Sequence, residues 1–421
     1  MIFNYILAII NIFLCTAVVK KGMNENNLLK ISFFFIFFVY FCLRPLDIII
    51  YDLFYGEYPI SLFWKSHKYF KFVEIRDVLF LPQLCVTIFL FLYVFYERFI
   101  IKKYQFNKNK ISILYPINYP NIILFLILGS FMLPFSRIGF VTMIMIIISL
   151  IGYQYFNKKI ILSIVYTIIV LYLILHFSFL FKERRDLIGY ILIALLSVIY
   201  YKRSLINIYK TAIISVFLFL IMVMGAILVK IDSSTLFNIV SGENMFIIHN
   251  FIQDMIDFPI IYDDYVFLVN SIFNDKVDLL YGQSFYKILF WPIPRSIWLD
   301  KTWDTAQQFM TLFQNYRTIY DVYTSRPPSL LGEWIWNFGF VGLPTLPLII
   351  GIIIKYAYRH QMRKGFSIPL ILTILAFIGF IRGNFPVVLK ELFIMYLFYK
   401  GLFFLTDIIT RRKKLKYVVS V

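Results

Sequence analysis

The sequence predicts an all-α, polytopic membrane protein with about eleven transmembrane helices and one large loop on the outer side of the membrane. Two observations carry this prediction. Of the 421 residues, 61% are hydrophobic and only 15% are charged, whereas a soluble domain has about 25% charged residues. The hydrophobic residues also fall into runs long enough to cross a bilayer, since a spanning helix needs about 20 of them.

The candidate spans follow one another along the chain. We place them at residues 2–19, 31–50, 78–97, 119–135, 138–156, 160–180, 187–201, 211–229, 338–356, 367–381 and 388–406. No basic residue precedes the first run, and Lys20 and Lys21 follow it, which favours a retained anchor over a cleaved signal peptide. Cys15, Cys42 and Cys85 lie within apolar runs, so they indicate neither a disulfide framework nor a metal cluster.

The basic residues give the chain a direction across the membrane. Most Lys and Arg residues fall in alternate short loops and in the tail after the last span. The positive-inside rule places those segments in the cytoplasm. With an odd number of spans, the N-terminus then lies outside and the C-terminus is cytoplasmic. The net charge of +18 is therefore explained by topology and gives no support for nucleic-acid binding.

One long segment, residues 230–337, contains no candidate span and is predicted to be the outer loop. It divides the chain into residues 1–229 with eight spans, the loop itself, and residues 338–421 with three spans and a basic tail. About half of the 23 acidic residues lie in the loop. We expect amphipathic helices and the catalytic region there, because binding and catalytic residues concentrate on loops held by a rigid scaffold.

Arginines at the outer ends of the predicted spans form the first candidate site. The outer side of a membrane protein is expected to be poor in Lys and Arg, so a set of arginines there favours a function. A guanidinium is permanently charged and binds two phosphate oxygens at once, which suits a lipid diphosphate. Snorkelling anchors or ion pairs that set helix position are the alternative for each one. The residues are Arg44, Arg137, Arg184, Arg185, Arg295, Arg317, Arg326 and Arg382.

Two stretches of the outer loop add further candidates. In "YGQSFYKILFWPIPRSIWLDKTWDTA" (281–306), Trp298 either lines a groove or lies in the aromatic belt of the membrane interface. In "SRPPSLLGEWIWNFGFVG" (325–342), Ser329 is predicted to cap a helix that carries Glu333 in its first turns. Glu333 is then either a partner of a helix N-terminus or a general base for an attacking sugar hydroxyl.

Other kinds of site lack support in the sequence. The four histidines are scattered along the chain, and His249 in the outer loop is an alternative base. The chain has no glycine-rich phosphate loop, no nucleophile elbow and no zinc signature. The sequence therefore indicates no cytoplasmic nucleotide site, no metal and no cofactor.

At these residues the chain resembles the bacterial O-antigen polymerase family, the Wzy-type oligosaccharide repeat unit polymerases. The likeness rests on "YGQSF…IPRSIWLDK" (281–301), "SRPPSLLGEWIWNFGFVG" (325–342), "SRIGF" (136–140) and "RGNF" (382–385), together with a large outer loop late in the chain. The resemblance implies a GT-C-like fold in the bacterial plasma membrane. It also implies a metal-independent enzyme that joins undecaprenyl-diphosphate-linked oligosaccharide units at the outer face.

The same resemblance implies roles for individual residues. Glu333 is the expected base, and Arg295 and Arg326 complete the catalytic set. Substrate binding is expected at Arg137, Arg184, Arg185, Arg382, Lys301, Trp298 and Tyr281. Membrane lipids and a chain-length regulator protein are further expected partners.

Two other functions stay open at this point. One is a lipid-linked glycan ligase, which would transfer a finished chain to lipid A or to a protein. The other is a flippase or transporter, for which two related halves and polar mid-membrane positions are expected.

Overall fold

The computed structural model describes residues 2–46, 48, 78–101, 196, 258–286, 289–290, 293, 296–298, 305–314, 327–364, 368–390, 392–394, 396–397 and 400–401. These residues are mostly helical and contain no strand. In chain order the helices are α1 (Ile2–Glu25), α2 (Leu28–Phe38), α3 (Phe80–Tyr96), α4 (Phe258–Phe273), α5 (Gln283–Tyr286), α6 (Thr305–Gln314), α7 (Ser329–Phe338), α8 (Thr345–Lys364), α9 (Ile368–Arg382) and α10, which begins at residue 385.

Four helices among the described residues are long and apolar enough to cross a membrane, so the chain is a membrane protein with several spanning segments. They are Phe3–Glu25, Leu28–Leu46, Phe80–Phe99 and Phe340–Arg363. They match the predicted spans 2–19, 31–50, 78–97 and 338–356. A shorter apolar helix, Leu370–Arg382, coincides with the predicted span 367–381. The spans predicted between residues 119 and 229 lie outside the described residues, apart from Leu196, and the last span does so in part.

Helices α1 and α2 form a hairpin because the chain reverses within two residues. Asn26 has a φ of 56°, a left-handed conformation that asparagine tolerates better than most residues. Asn27 then caps α2, and its side-chain oxygen accepts a hydrogen bond from the Lys30 N–H at 3.2 Å. Beyond its last residue, α2 continues as the π-helical segment Val39–Leu43.

Helix α3 packs against this hairpin through buried aromatic rings. The ring centroids of Phe37 and Phe89 are 5.0 Å apart, and those of Phe34 and Tyr93 are 4.4 Å apart. All four side chains are buried. In a membrane, close packing rather than exclusion of water holds helices together, so these contacts form the core of a three-helix bundle.

One end of the bundle carries a cluster of opposite charges. The Lys30 side chain is 1% exposed, and its Nζ donates to Glu25 at 3.0 Å and also to Glu97. Lys21 pairs with the same Glu97 at 3.1 Å. The Tyr358 hydroxyl of α8 donates to the Glu25 carbonyl at 3.0 Å. A buried charge is tolerated when it is paired in this way, and the cluster ties the ends of four helices together.

Helix α4 lies in the predicted outer loop but is enclosed by protein, because every residue from 261 to 272 is buried. The Asn270 side chain donates to the Val78 carbonyl at 2.8 Å. In a regular helix that carbonyl would bond to the N–H of residue 82, but Pro82 has none. The Tyr265 hydroxyl donates to the Pro82 carbonyl at 2.9 Å. The polar side chains of α4 therefore fix it to the start of α3.

Helices α7 and α8 are separate elements, whereas the span predicted here begins at residue 338. Gly339 ends α7 with a φ of 63°, and its N–H bonds to the Ile335 carbonyl at 2.7 Å. A 3-10 turn, Phe340–Gly342, then leads into α8. The spanning segment runs Phe340–Arg363, so it begins and ends later than predicted.

The chain forms two compact units, each discontinuous in sequence. The first comprises Met1–Asn107, Thr211–Arg359 and Phe377–Val388, and the second comprises Lys108–Lys210, His360–Ala376 and Leu389–Val421. The three-helix bundle, α4, α7 and the turn after Arg382 lie within the first unit.

Candidate functional site

Two segments that are distant in the sequence pair along α7. The Leu280 N–H donates to the Trp336 carbonyl at 2.8 Å, and the Trp336 indole N–H donates to the Asp278 carbonyl at 3.0 Å. The Ser284 N–H bonds to the Asn337 side-chain oxygen at 3.3 Å. The "YGQSF" motif therefore lies beside the "EWIWNF" motif.

Phe285 connects these two segments to a third. Its ring centroid is 5.3 Å from those of Trp334 and Phe338 on α7, and 4.9 Å from that of Phe385 at the start of α10. Phe385 also stacks on Phe380 of α9, with centroids 4.7 Å apart. Aromatic pairs at these distances stabilise a fold beyond the area that they bury. The cluster holds the turn between α9 and α10 against α7.

Glu333 makes the polar contact between α7 and this turn. It lies in the middle of α7 and is 1% exposed. Its Oε2 accepts a hydrogen bond from the Phe385 N–H at 2.8 Å. The first N–H groups of a helix have no acceptor within it, and the positive end of the helix dipole stabilises a carboxylate. Glu333 thus caps α10, a helix other than its own.

Ser329 and Gly383 bring the same two segments into backbone contact. Ser329 is the first residue of α7 and Pro328 is its N-cap, which makes no side-chain cap hydrogen bond. The Ser329 Oγ accepts a hydrogen bond from the Gly332 N–H at 3.2 Å. A Cβ added to Gly383 would lie 2.9 Å from the Ser329 nitrogen and 3.0 Å from its carbonyl carbon. Gly383 also has a φ of +106°, which L side chains rarely adopt. The position therefore requires glycine on two independent grounds.

Arg382 is the predicted site arginine that belongs to this arrangement. It is the last residue of α9 and is half-buried. The residue after it contacts Ser329, and the N–H three residues later bonds to Glu333. The position of the Arg382 backbone is therefore fixed by α7.

Arg44 has a buried partner of its own. Its Nε lies 3.3 Å from Oδ1 of Asp263 and its Nη2 lies 3.2 Å from Oδ2. The two side chains are 2% and 6% exposed. Guanidinium and carboxylate meet here through two parallel hydrogen bonds, the strongest arrangement for this pair. For Arg44 the ion-pair alternative is thus confirmed, and the pair joins the end of α2 to α4.

Two buried phenols on α4 lie close to this ion pair. Burial raises the pKa of Tyr262 and of Tyr265 well above the usual value, and the charge of Asp263 raises the pKa of Tyr262 further. Among the described residues, the Tyr262 hydroxyl has no hydrogen-bond partner. Both phenols are therefore neutral at neutral pH.

Several predicted site residues lie outside the residues that the structure describes. The ring of outer arginines and the Lys301 site therefore stay predictions. The residues concerned are Arg137, Arg184, Arg185, Arg295, Arg317, Arg326 and Lys301, together with the alternative base His249.

Tyr281 and Trp298 are described, but no contact with Glu333 is seen for either. Tyr281 is 81% exposed and has a φ of 47°. Trp298 packs edge-on against Phe290, with ring centroids 5.3 Å apart. The part of their motif that reaches α7 is the "YGQSF" end, through Ser284 and Phe285.

The sequence predicts no role for α4 or for Phe285, although both are central in the structure. The signal for α4 is the 16-residue stretch "FPIIYDDYVFLVNSIF", which is almost wholly apolar but shorter than a span and broken by two aspartates. Phe285 ends the "YGQSF" motif, but nothing in that motif indicates that its ring packs on α7 and α10. Within the described ranges, no three His, Cys, Asp or Glu side chains lie close enough to hold a metal ion.

No family model, curated protein or solved structure matches the chain. The geometry of the residues around α7 is therefore the basis for a functional proposal.

Proposed function

We propose that the chain is a membrane glycosyltransferase that polymerises undecaprenyl-diphosphate-linked oligosaccharide units into a surface polysaccharide. The observation that carries the proposal is the hydrogen bond between Glu333 and Phe385. It joins two of the motifs on which the family resemblance rests, and Phe285 adds a third motif to the same place. Motifs scattered over a hundred residues are thus parts of one local arrangement, as a shared site requires.

The proposed reaction transfers the growing chain to the non-reducing end of a new lipid-linked unit. A hydroxyl oxygen of the acceptor sugar attacks the anomeric carbon of the donor, and the bond from that carbon to the diphosphate oxygen breaks. The acceptor proton passes to Glu333 as general base, and the bond's electron pair leaves with the lipid diphosphate. Arginines that are in place before reaction stabilise this developing charge more than they stabilise the ground state.

The proposed arginine set consists of Arg382, whose backbone α7 positions, and of residues that the structure does not describe. Arg295 and Arg326 are assigned to catalysis, and Arg137, Arg184 and Arg185 to diphosphate binding. Lys301, Trp298 and Tyr281 are assigned to the sugar portion of the substrate. We place this chemistry at the outer face of the bacterial plasma membrane, with the N-terminus outside and the C-terminus in the cytoplasm.

A second role for Glu333 follows from its burial. The carboxylate holds the turn that carries Arg382, so it acts as a positioning residue even without taking a proton. As a base it would be reached by the acceptor hydroxyl only after the turn moves. Glutamine at position 333 would keep the positioning role, because its amide oxygen still accepts a hydrogen bond from the Phe385 N–H. It would lose the catalytic role, because an amide does not serve as a base.

The test is a transfer assay with the full-length protein in vesicles that contain a lipid-linked repeat unit. The expected product is a ladder of longer lipid-linked glycans with release of lipid diphosphate. A ligase would instead join the glycan to lipid A or to a protein, with no ladder when only repeat units are present. A flippase would move the lipid-linked unit across the bilayer without changing its length, and either result would overturn the proposal.

A further inference from the structure

At the charged end of the three-helix bundle, both carboxylates are already paired. The buried Lys30 side chain lies 3.0 Å from Glu25 and also contacts Glu97, and Lys21 lies 3.1 Å from the same Glu97. A carboxylate paired with lysines repels a second anion less than an isolated carboxylate does. The negative charge at this end of the bundle is therefore balanced by two lysines.

Two further cations lie beside these pairs. Lys20 precedes Lys21 on α1, and Arg98 follows Glu97 in the π-helical segment that continues α3. Both residues are exposed, and no ion pair is seen for either of them in the part of the chain that the structure describes. Because Lys21 contacts Glu97, residues 20, 21 and 98 lie together, and we call them the cationic surface.

The cationic surface lies at the level of a membrane boundary. Two spanning segments, Phe3–Glu25 and Phe80–Phe99, end beside it, and a third, Leu28–Leu46, begins there. A spanning helix leaves the hydrocarbon at its ends, so the cationic surface is at the depth of the lipid headgroups. The distribution of basic residues predicts that this is the cytoplasmic side.

An exposed row of aromatic side chains runs along α3 to this surface. Phe91, Phe95 and Phe99 are exposed, and their spacing of four residues places them on one face of a helix. The ring centroids of Phe95 and Phe99 are 4.7 Å apart, and the guanidinium carbon of Arg98 lies 5.9 Å from the Phe99 centroid. We call these three phenylalanines the aromatic ridge. In a spanning helix such a face contacts lipid chains, and here it ends at an exposed cation.

An anionic phospholipid complements both features. Its phosphate oxygens accept charge-assisted hydrogen bonds from guanidinium and ammonium groups, and its chains are apolar. A zwitterionic lipid adds a cation of its own to the same headgroup, so its attraction to the cationic surface is weaker. Charge complementarity therefore identifies the anionic lipid as the occupant.

We propose that the cationic surface binds the phosphate of an anionic phospholipid in the adjacent leaflet, with an acyl chain of that lipid along the aromatic ridge. The contact between Lys21 and Glu97 holds the ends of α1 and α3 together, so one headgroup reaches cations from both helices. The proposal requires only a bilayer that contains anionic lipid and is independent of the proposed reaction.

The experiment uses full-length protein with a fluorophore on Asn24→Cys, an exposed position near the end of α1, in phosphatidylcholine vesicles. Cys15, Cys42 and Cys85 are buried, so parent protein treated with the same fluorophore is the blank. A small share of the lipid is replaced by phosphatidylglycerol or by phosphatidylcholine that carries the same nitroxide near its headgroup. The ratio of the two quenching efficiencies measures the enrichment of anionic lipid beside the label.

We expect phosphatidylglycerol to quench several-fold more strongly than phosphatidylcholine, with a smaller ratio at high salt because exposed charges are screened. Arg98→Gln should remove most of this difference, since one basic side chain at a membrane surface enriches anionic lipid about fivefold. Arg98→Lys should largely retain it, which separates loss of charge from a change in fold. Lys276→Gln, an exposed charge in the predicted outer loop, is the matched control and should leave the ratio unchanged.

Equal quenching by the two lipids in the parent protein would overturn the proposal. A ratio that stays at the parent value when Arg98→Gln is combined with Lys20→Gln would also overturn it, because these cations would then be anchors without a bound lipid. The same holds if Arg98→Gln and Lys276→Gln lower the ratio equally, since the enrichment would then reflect the net charge of the protein.

Discussion

The carboxylate of Glu333 and the backbone N–H of Phe385 are joined by a 2.8 Å hydrogen bond across 52 positions of sequence. The bond connects the middle of one helix to the first turn of another. It places a charge that is buried within protein at the positive end of α10, where the helix dipole stabilises it. The same bond fixes the turn that follows Arg382, so the geometry of the proposed site depends on it.

Replacing Glu333 with glutamine separates the two roles of this side chain. The amide oxygen still accepts the Phe385 N–H, so we expect a thermal unfolding midpoint close to that of the parent protein. Loss of the base should lower the rate of polymer formation by about 10²–10⁴-fold. The measurements are the ladder of lipid-linked glycan and thermal unfolding in detergent. If the Gln variant forms polymer at the same rate as the parent protein, Glu333 acts only as a helix cap.

Replacing Glu333 with alanine removes the acceptor altogether. We expect the free energy of unfolding to fall by about 1–2 kcal/mol, as for other lost helix caps. Activity should fall at least as far as in the Gln variant, because the Arg382 turn is no longer held. Equal stability of the Ala and Gln variants would show that the Phe385 contact does not stabilise the fold.

Arg382→Lys tests whether the guanidinium itself is required. Lysine keeps the charge but cannot bind two phosphate oxygens in a planar fork, so we expect about 10²-fold slower polymer formation, by analogy with the loss of other charge-stabilising donors. Arg363→Lys, an exposed residue near the other end of the α8 span, is the control and should leave the ladder unchanged. The same comparison applies to Arg295→Lys and Arg326→Lys. Unchanged ladders in all three outer variants would remove the proposed diphosphate site.

Gly383→Ala should destabilise the protein because the new Cβ meets the Ser329 backbone and the φ of +106° is strained for alanine. We expect a loss of about 1–3 kcal/mol in the free energy of unfolding. The matched control is Gly401→Ala, since Gly401 is helical and nothing lies within 4 Å of its added Cβ. In a helix that change is expected to stabilise by about 0.5–1 kcal/mol. Equal effects at the two positions would contradict the close packing at Gly383.

The Arg44–Asp263 pair is expected to show strong coupling in a double-mutant cycle. Arg44→Met or Asp263→Leu alone removes one side of a buried ion pair, which costs about 3–5 kcal/mol. The double variant removes both charges and should be less destabilised than the sum of the single changes. Thermal or denaturant unfolding in detergent measures all four proteins, and simple additivity would show that the two side chains act independently.

The buried phenols of α4 predict a loss of stability at alkaline pH. Their pKa is raised in the folded protein, whereas tyrosine in an unfolded chain ionises near a pH of about 10. Below that pH the two phenols are neutral in both the folded and the unfolded protein, so they add no pH dependence to the free energy of unfolding. Above it the unfolded chain loses protons and the folded protein does not, so stability falls as the pH rises. Tyr262→Phe should make that decline less steep, and an unchanged slope would contradict the assignment.

The sequence predicts the membrane-spanning helices well where the structure describes them. A run of apolar residues is sufficient to predict such a helix, because backbone groups in lipid must bond within their own segment. The hydrogen bond from the Gly332 N–H to the Ser329 side chain at the start of α7 follows from the same kind of local rule. The break at Gly339 is not predicted by hydropathy alone, since both sides of it are apolar and the turn depends on the backbone conformation of one glycine.

The hydrogen bond between Glu333 and the turn at residues 382–385 could not be predicted from the sequence. The motifs indicate a site, but a hydrogen bond between residues so far apart depends on how α7, α9 and α10 pack. For Arg44, outer position alone does not distinguish a ligand-binding arginine from a partner of Asp263. That distinction needs the neighbouring helix, and α4 is too short and too polar to be recognised from hydropathy as part of the buried core.

The turn at Asn26–Asn27 has a consequence for biosynthesis. Helices linked by only two residues leave no room for one to cross the bilayer well before the other, so α1 and α2 enter it together as an antiparallel pair. The charges of Lys21, Glu25 and Lys30 lie at that turn, so they stay together on one side of the lipid. The orientation of this first pair is then settled while most of the chain is still untranslated.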